Sequence, residues 1–514
     1  MWRATKEHWQ NFLRSKAPAN EFTSVLLDLV GDSAQYFIGL VLIGLANTIL
    51  LPLYMRYLNP AEFGIYALVE VTSMALMMMA GLGFNTSYLK FYAETGNLGT
   101  SRLFGSMTLI SGAAAAALGA GFAALAHSAV GTRLLGGNAK GFAIWLFPLI
   151  LFESLYACFE THLRACRRPA SISAAAVIRL IAIAGFSIWL IAVRKQGLSG
   201  LFEGRVLGDA CSLAAAGYYC RREFTVLISR PAAKALLRYG APLVVIGLTM
   251  LGLDAATRYL LDSYGSLNEL GLYTAGIKIS NLMRILFVAP LGAAWGGLMF
   301  QIAKKPNAKF IYSKLFGYVF LIAAMVAAVV ALMTPALFAI FAAPAYTPGM
   351  ALVPWLLLVQ VLSILQAPLA TGLYVGRATR WLIPIYVAGL AADIVAGRLL
   401  VPAFGMFGAV WAWLIGWAAI SILLTVAGQK TYPLHFEWQA IALSFAICGF
   451  VPAIRYLGVM NLEPSSILKQ VVCGGTAIAI TSTYIALDVK KSRAEFGRGF
   501  SGKDALSRLA AESE

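Results

Sequence analysis

The chain has 514 residues, 60% of them hydrophobic and only 12% charged, and carries a formal net charge of +17. A soluble domain is about one quarter charged, so no water-soluble fold can hide this much apolar surface. Lys and Arg gather in the short breaks between apolar runs, a pattern of membrane topology that speaks against nucleic acid as a partner.

Before the first apolar run, Trp2, Trp9, Phe12 and Leu13 interleave with Arg3, Lys6, Arg14 and Lys16 at helical spacing, which predicts an interfacial helix on the cytoplasmic face over residues 1–33. Acidic residues and the lack of a continuous apolar core argue against a cleavable signal there. About 20 apolar residues cross a hydrocarbon core of roughly 30 Å. Runs of that length fall near 34–55, 65–84, 103–126, 141–163, 171–193, 198–219, 240–261, 270–294, 311–333, 350–375, 381–400, 405–427, 438–458 and 467–487. The expected fold is therefore an all-α polytopic membrane protein of about 14 transmembrane helices. With a cytoplasmic amino terminus, about 27 basic residues lie inside and about 7 outside, so both termini are expected in the cytoplasm.

An internal repeat organises these spans. Arg56-Tyr57-Leu58 and Glu62-Phe63-Gly64-Ile65-Tyr66 recur as Arg258-Tyr259-Leu260 and Glu269-Leu270-Gly271-Leu272-Tyr273. Leu163 and Arg167 find counterparts in Leu373 and Arg377, and Gly197, Gly200 and Gly208 in Gly405, Gly408 and Gly416, all at an offset of about 202 to 210 residues. The repeat pairs spans 1 to 6 with spans 7 to 12. Six is even, so the two lobes enter the membrane in the same sense, are related by an axis along its normal, and enclose a cavity suited to alternating access. The expected division is a cytoplasmic segment at 1–33, an N-lobe at 34–228, a C-lobe at 229–430, an added helix pair at 431–488 and a basic cytoplasmic tail at 489–514.

The stretch from Leu51 through Asn59-Pro60 to Tyr66 resembles the first helical hairpin of the polysaccharide flippases in the multidrug, oligosaccharidyl-lipid and polysaccharide exporter superfamily. Gly81-Leu82-Gly83-Phe84 with Tyr88 to Glu94, and Leu236-Leu237-Arg238-Tyr239-Gly240-Ala241-Pro242, resemble further segments of that family. The resemblance implies transfer of an undecaprenyl-diphosphate-linked oligosaccharide from the cytoplasmic to the periplasmic leaflet of a bacterial inner membrane, with a glycan polymerase as partner. Spans 13 and 14 are similar to the extra pair of the peptidoglycan-precursor flippases, where it helps form a groove for the lipid tail.

Charge inside a bilayer costs at least ~2.5 kcal/mol per group, so retained charges face a cavity or a partner. Glu70, Glu153, Arg179, Glu203, Arg205, Asp209, Asp254, Arg258, Lys278, Arg284, Asp393 and Arg398 fall in the spans. Several of these, Glu70 and Arg258 among them, lie near span ends and can snorkel. Asp254 and Lys278 lie at matched depth in neighbouring spans 7 and 8, which predicts a pair. Arg258, Asn281 and Arg284 extend the polar stripe, and the net positive hairpin suits a diphosphate or uronic acid. The expected substrate contacts are Arg258, Lys278, Arg284, Asn281 and Arg179. Asp254, Asp393 and Glu70 are candidates for coupling to H+ or Na+, although the balance of acid and base leaves the charge of the substrate open.

Cys158, Cys166, Cys211, Cys220, Cys448 and Cys473 share no CxxC spacing, so neither a disulfide framework nor a zinc site is expected. His8, His127, His162 and His435 are scattered near span ends, and no GxxxxGK[ST] loop is present. An enzyme is therefore disfavoured, and no cofactor is expected. A multidrug cation antiporter and a lipid II flippase are the alternatives.

Overall fold

The computed structural model describes residues 50–94, 97–126, 128, 140–305, 307–434, 437, 439–444, 446, 475, 479 and 483. The amphipathic segment at 1–33, most of span 1, the basic tail and most of spans 13 and 14 lie outside the described residues. Fourteen α-helices and no strands occur within them. In chain order they are α1 (Leu51–Tyr57), α2 (Pro60–Gly81), α3 (Phe84–Glu94), α4 (Asn97–Ala126), α5 (Leu146–Ala165), α6 (Pro169–Ser187), α7 (Gly197–Cys220), α8 (Arg230–Tyr264), α9 (Leu267–Met283), α10 (Ala289–Ile302), α11 (Ala308–Phe341), α12 (Val353–Val375), α13 (Leu382–Phe404) and α14 (Met406–Thr431). Nine described helical segments are long and apolar enough to cross a membrane. They correspond to expected spans 2 to 5, 7 and 9 to 12. Helix α7 has the length of a span but carries Glu203, Arg205 and Asp209, which lower its hydropathy.

The repeat seen in the sequence recurs as matching local geometry. Asn59 caps α2, its side chain accepting from the Glu62 amide at 2.9 Å, and Ser266 caps α9 by accepting from the Glu269 amide at 3.2 Å. Such caps satisfy amides that the first turn of a helix leaves without partners. At the far ends of α5 and α12, Arg167 and Arg377 both adopt φ 54°, a left-handed conformation unusual for a residue with a Cβ. Each is followed by the same chain reversal, with Arg168 N–H bonded to Leu163 C=O at 3.1 Å and Ala378 N–H to Leu373 C=O at 2.8 Å. Helix α7 packs through Gly208 against Ile183 of α6 and through Gly200 against Leu190 of the π-helical segment Ile188–Val193 that follows α6. Helices α13 and α14 pack through Gly408 against Leu400 and Gly416 against Asp393.

Helix α2 joins the two halves. Near its start, a Cβ on Gly64 would lie 2.3 Å from the Leu267 carbonyl oxygen, and one on Gly271 only 1.7 Å from that of Pro60. The repeated Gly64 and Gly271 thus let α2 and α9 touch backbone to backbone, an approach that small residues permit in membrane helices. Beyond its other end, Gly83 (φ 68°) meets Gly240 of α8, where a Cβ would fall 2.3 Å from the Gly240 carbonyl oxygen. The two contacts are separated by 19 residues, about 28 Å along a helix. The C-terminal half also holds the beginning of this hairpin: Ala343 N–H bonds the Met55 carbonyl at 3.1 Å, and the Tyr346 hydroxyl donates to the Leu58 carbonyl at 3.0 Å.

Candidate functional site

Among the described residues, two clusters of four charged side chains lie within the helical bundle. The first spans both halves and centres on Glu70, which α2 places six residues beyond the Gly64 crossing. Lys278 of α9 donates to both carboxylate oxygens of Glu70, at 2.7 and 2.8 Å. Arg258 of α8 lies 3.6 Å from the same carboxylate and 2.9 Å from Asp254, one turn earlier on its own helix. The Tyr66 hydroxyl also donates to Glu70 at 2.7 Å. Arg258 donates as well to the Ala67 carbonyl at 3.4 Å, so two basic residues of the C-terminal half grip α2. Thr72 and Tyr259 share a further hydroxyl bond across this interface.

This arrangement differs from the expected pairing. Among the described residues no ion pair joins Lys278 to Asp254. Helix α2 packs along α9 and offers Glu70, so Lys278 pairs between halves while Asp254 turns to Arg258. Glu70 does not snorkel, because its side chain is only 7% exposed and both oxygens are engaged. The cluster thus holds two acids and two bases, and Glu70 cancels one of the two surplus positive charges expected of the hairpin, leaving that of Arg284.

The second cluster lies inside the N-terminal half. Arg179 of α6 donates to Asp209 of α7 at 2.8 Å and to Glu153 of α5 at 3.0 Å, while Arg205 reaches the other Glu153 oxygen at 3.3 Å. Again two acids balance two bases, and Arg179, expected to contact substrate, is committed to carboxylates. Its guanidinium also lies over the Tyr156 ring, 5.0 Å from the centroid. Charges buried in this way are tolerated because each has a partner.

The remaining candidates are dispersed. Asn281 accepts from the Gln360 side chain at 3.1 Å, tying α9 to α12. Arg284 opens a five-residue π-helical segment, Arg284–Val288, and is exposed without an ion pair among the described residues. Asp393 of α13 is fully buried against Gly416, and neither of its carboxylate oxygens has a hydrogen-bond partner among the described residues. An apolar cleft of about 320 Å³ lies between α10, α12 and α13, lined by Trp295, Met299, Ile364, Ala367, Tyr374 and Tyr386 among others.

Buried ion pairs thus join the two copies of the repeat across their interface. Residues 30–303, just over half of the chain, match the family of polysaccharide biosynthesis proteins. The chain belongs to that family. No curated protein matches it in sequence. Its fold is shared with the lipid II flippase MurJ in an inward closed conformation, at TM-score 0.70 and 12% identity over 89% of this chain and 99% of that one. An inward-facing multidrug resistance MATE family transporter of the MOP superfamily aligns at TM-score 0.60 and 15% identity, covering 76% of this chain and 93% of that one. The Vibrio cholerae MATE transporter VcmN in its bent form aligns at 0.52 and 13%, covering 84% and 99%. The polysaccharide biosynthesis family thus accounts for the chain as a multi-pass membrane protein with a flippase and transporter fold.

The sequence singled out Glu70 only as a coupling candidate near a span end. The signal that marks it as a link between halves is its place: about one turn after the repeated Glu-x-Gly-x-Tyr motif, on the helix whose glycine touches the second copy of that motif.

Proposed function

We propose that this protein is a flippase that carries an undecaprenyl-diphosphate-linked oligosaccharide from the cytoplasmic to the periplasmic leaflet of a bacterial inner membrane by alternating access. The reading rests on one observation above all, the Glu70 carboxylate of one half held by Lys278 and Arg258 of the other. Residues 34–228 and 229–430 act as the moving lobes, and the Glu70 ion pairs hold them together while the cavity is empty. A diphosphate entering the cavity competes with Glu70 and Asp254 for the same two cations. Exchange of one anion for another keeps both cations paired and releases α2, and the displaced Glu70 carboxylate then takes up a proton or is hydrated in the opening cavity. Arg284, exposed and outside both clusters, is free to take part of the pyrophosphate with its planar fork of donors.

Asp393 suits ion coupling. A buried carboxylate with no hydrogen-bond partner requires a proton or a cation to offset its charge, and a gradient of H+ or Na+ supplies either. Membership of a polysaccharide biosynthesis family and the shared fold with a lipid II flippase support a lipid-linked sugar as cargo.

The deciding experiment measures flipping of a fluorescent undecaprenyl-diphosphate oligosaccharide in proteoliposomes of the purified protein. Flipping that rises with an imposed proton or sodium gradient, and falls at least tenfold in Arg258→Gln with Lys278→Gln, is expected. Flipping absent in correctly folded protein, together with gradient-driven uptake of an organic cation, would replace this reading with drug antiport. Orientation has its own check. The loop bearing Lys304 and Lys305 is expected to be cytoplasmic, so a cysteine at position 305 should resist a membrane-impermeant maleimide in intact spheroplasts and react after lysis.

A further inference from the structure

Away from both charge clusters, His162 and Cys166 at the end of α5 meet Glu223, which lies in the turn after α7. The His162 Nε2, Cys166 Sγ and Glu223 Oε2 atoms all lie within 4.8 Å of one another. The separations are 2.7 Å from Nε2 to Oε2, 3.6 Å from Sγ to Nε2 and 3.9 Å from Sγ to Oε2. We propose that these three residues form a binding site for zinc or a similar borderline divalent transition ion, fastening the start of the connector between the two halves.

The geometry fits the ion. Zinc lies about 2.0 to 2.1 Å from nitrogen and about 2.3 Å from sulfur, and tetrahedral angles then set nitrogen and sulfur about 3.5 Å apart. The observed 3.6 Å matches that spacing. The 2.7 Å between Nε2 and Oε2 is shorter because a proton now bridges them. Replacing that proton by the larger ion opens the pair by several tenths of an ångström, and Glu223 can yield because its side chain is 29% exposed. Water reaching the site from this open side completes a fourth position.

The surroundings hold the imidazole as a ligand. His162 is 2% exposed and its ring stacks on Phe104, with centroids 4.0 Å apart and planes 9° apart. The Tyr88 hydroxyl lies 2.6 Å from Nδ1 and serves as donor or acceptor, so it accommodates the tautomer that leaves the Nε2 lone pair for the ion. A partner on the second ring nitrogen is the usual companion of a ligating histidine. Tyr92 lies 3.3 Å from the Cys166 sulfur, and Arg168 holds the Glu223 oxygen not used for the ion. Binding releases the thiol proton to solvent. The ion, one thiolate and one carboxylate then sum to zero charge, leaving only the Arg168 cation beside them.

Position gives the site a consequence. Glu223 begins the stretch that runs from the end of α7 at Cys220 to the start of α8 at Arg230, the covalent link between halves. An ion at this point ties the connector to α5, while Tyr88 and Tyr92 extend the contact to α3.

The test uses the full-length protein in detergent, stripped with chelator under reducing conditions and titrated with Co2+. One cobalt per chain is expected, with thiolate-to-cobalt absorption in the near ultraviolet and the visible bands of a tetrahedral ion, displaced by Zn2+. Cys166→Ser is expected to remove the thiolate absorption, and Glu223→Gln to weaken binding at least tenfold. Zinc should also raise the melting temperature of the wild type and not that of Cys166→Ser, a comparison that needs no substitution of the packed His162. Absence of cobalt binding in the wild type, or a spectrum unchanged by Cys166→Ser, overturns the site.

Discussion

Glu70→Ala is expected to lower the stability of the protein by about 3 to 5 kcal/mol, the range for removing one partner of a buried ion pair. Lys278 would lose both of its short contacts and Arg258 one of its two contacts with α2, while Tyr66 would lose its acceptor. Arg258 would keep Asp254 at 2.9 Å, so the larger loss falls on Lys278. Glu70→Gln keeps the shape and an acceptor for Tyr66 but removes the charge, and should therefore destabilise less while still weakening the hold between halves. In the double variant Glu70→Gln with Lys278→Gln the unpaired cation is gone, so stability should recover in part. Melting of the detergent-solubilised protein, followed by size-exclusion fluorescence, separates these outcomes. A Glu70→Ala protein that melts with the wild type would mean that the contact contributes nothing, and would remove the basis for the anion-exchange mechanism.

Gly271→Ala should be damaging far beyond its size. The added methyl would lie 1.7 Å from the Pro60 carbonyl oxygen, which is backbone at the capped start of α2 and cannot rotate aside. Either α2 and α9 separate or the cap distorts, and overpacking of this kind costs about 1 to 3 kcal/mol. Gly121→Ala is the matched control, since nothing lies within 4 Å of its added carbon and alanine favours a helix over glycine by roughly 1 kcal/mol. Thermal melting should fall for Gly271→Ala and hold or rise for Gly121→Ala. Equal melting of the two variants would rule out backbone contact at that crossing.

Much of this architecture was legible because membranes simplify the code. Apolar length marks the described spans, and the repeated Glu-x-Gly-x-Tyr motif marks the two helices whose glycines meet. The equal turns at Arg167 and Arg377 follow from the same repeat. The ion pairing was not legible. Matching depth on adjacent spans identifies Lys278 and Asp254 as neighbours, but it cannot see that α2, 208 residues before Lys278, places Glu70 against it. Arg179 was visible as an intramembrane cation, whereas its commitment to Glu153 and Asp209 depends on how three helices pack. His162 and Cys166 carry a readable signal, a one-turn spacing that puts both on one helix face. Their third partner stands 57 residues beyond Cys166, where only the fold brings it near.

The unequal placing of Glu70 along α2 has a mechanical consequence. It lies six residues from Gly64 and eleven from Gly81, the last residue of the helix, which are arms of about 9 and 16 Å at 1.5 Å per residue. While the ion pairs still hold, before α2 is released, they serve as a fulcrum, and tilting α2 enough to part Gly64 from α9 by about 3 Å would swing its Gly81 end by roughly 5 to 6 Å, through the same rigid rise per residue. The helix then works as a lever with a gain of about two. A small parting at the repeated motif becomes a wide displacement beside Gly240, and the direction of amplification is set by where one carboxylate sits.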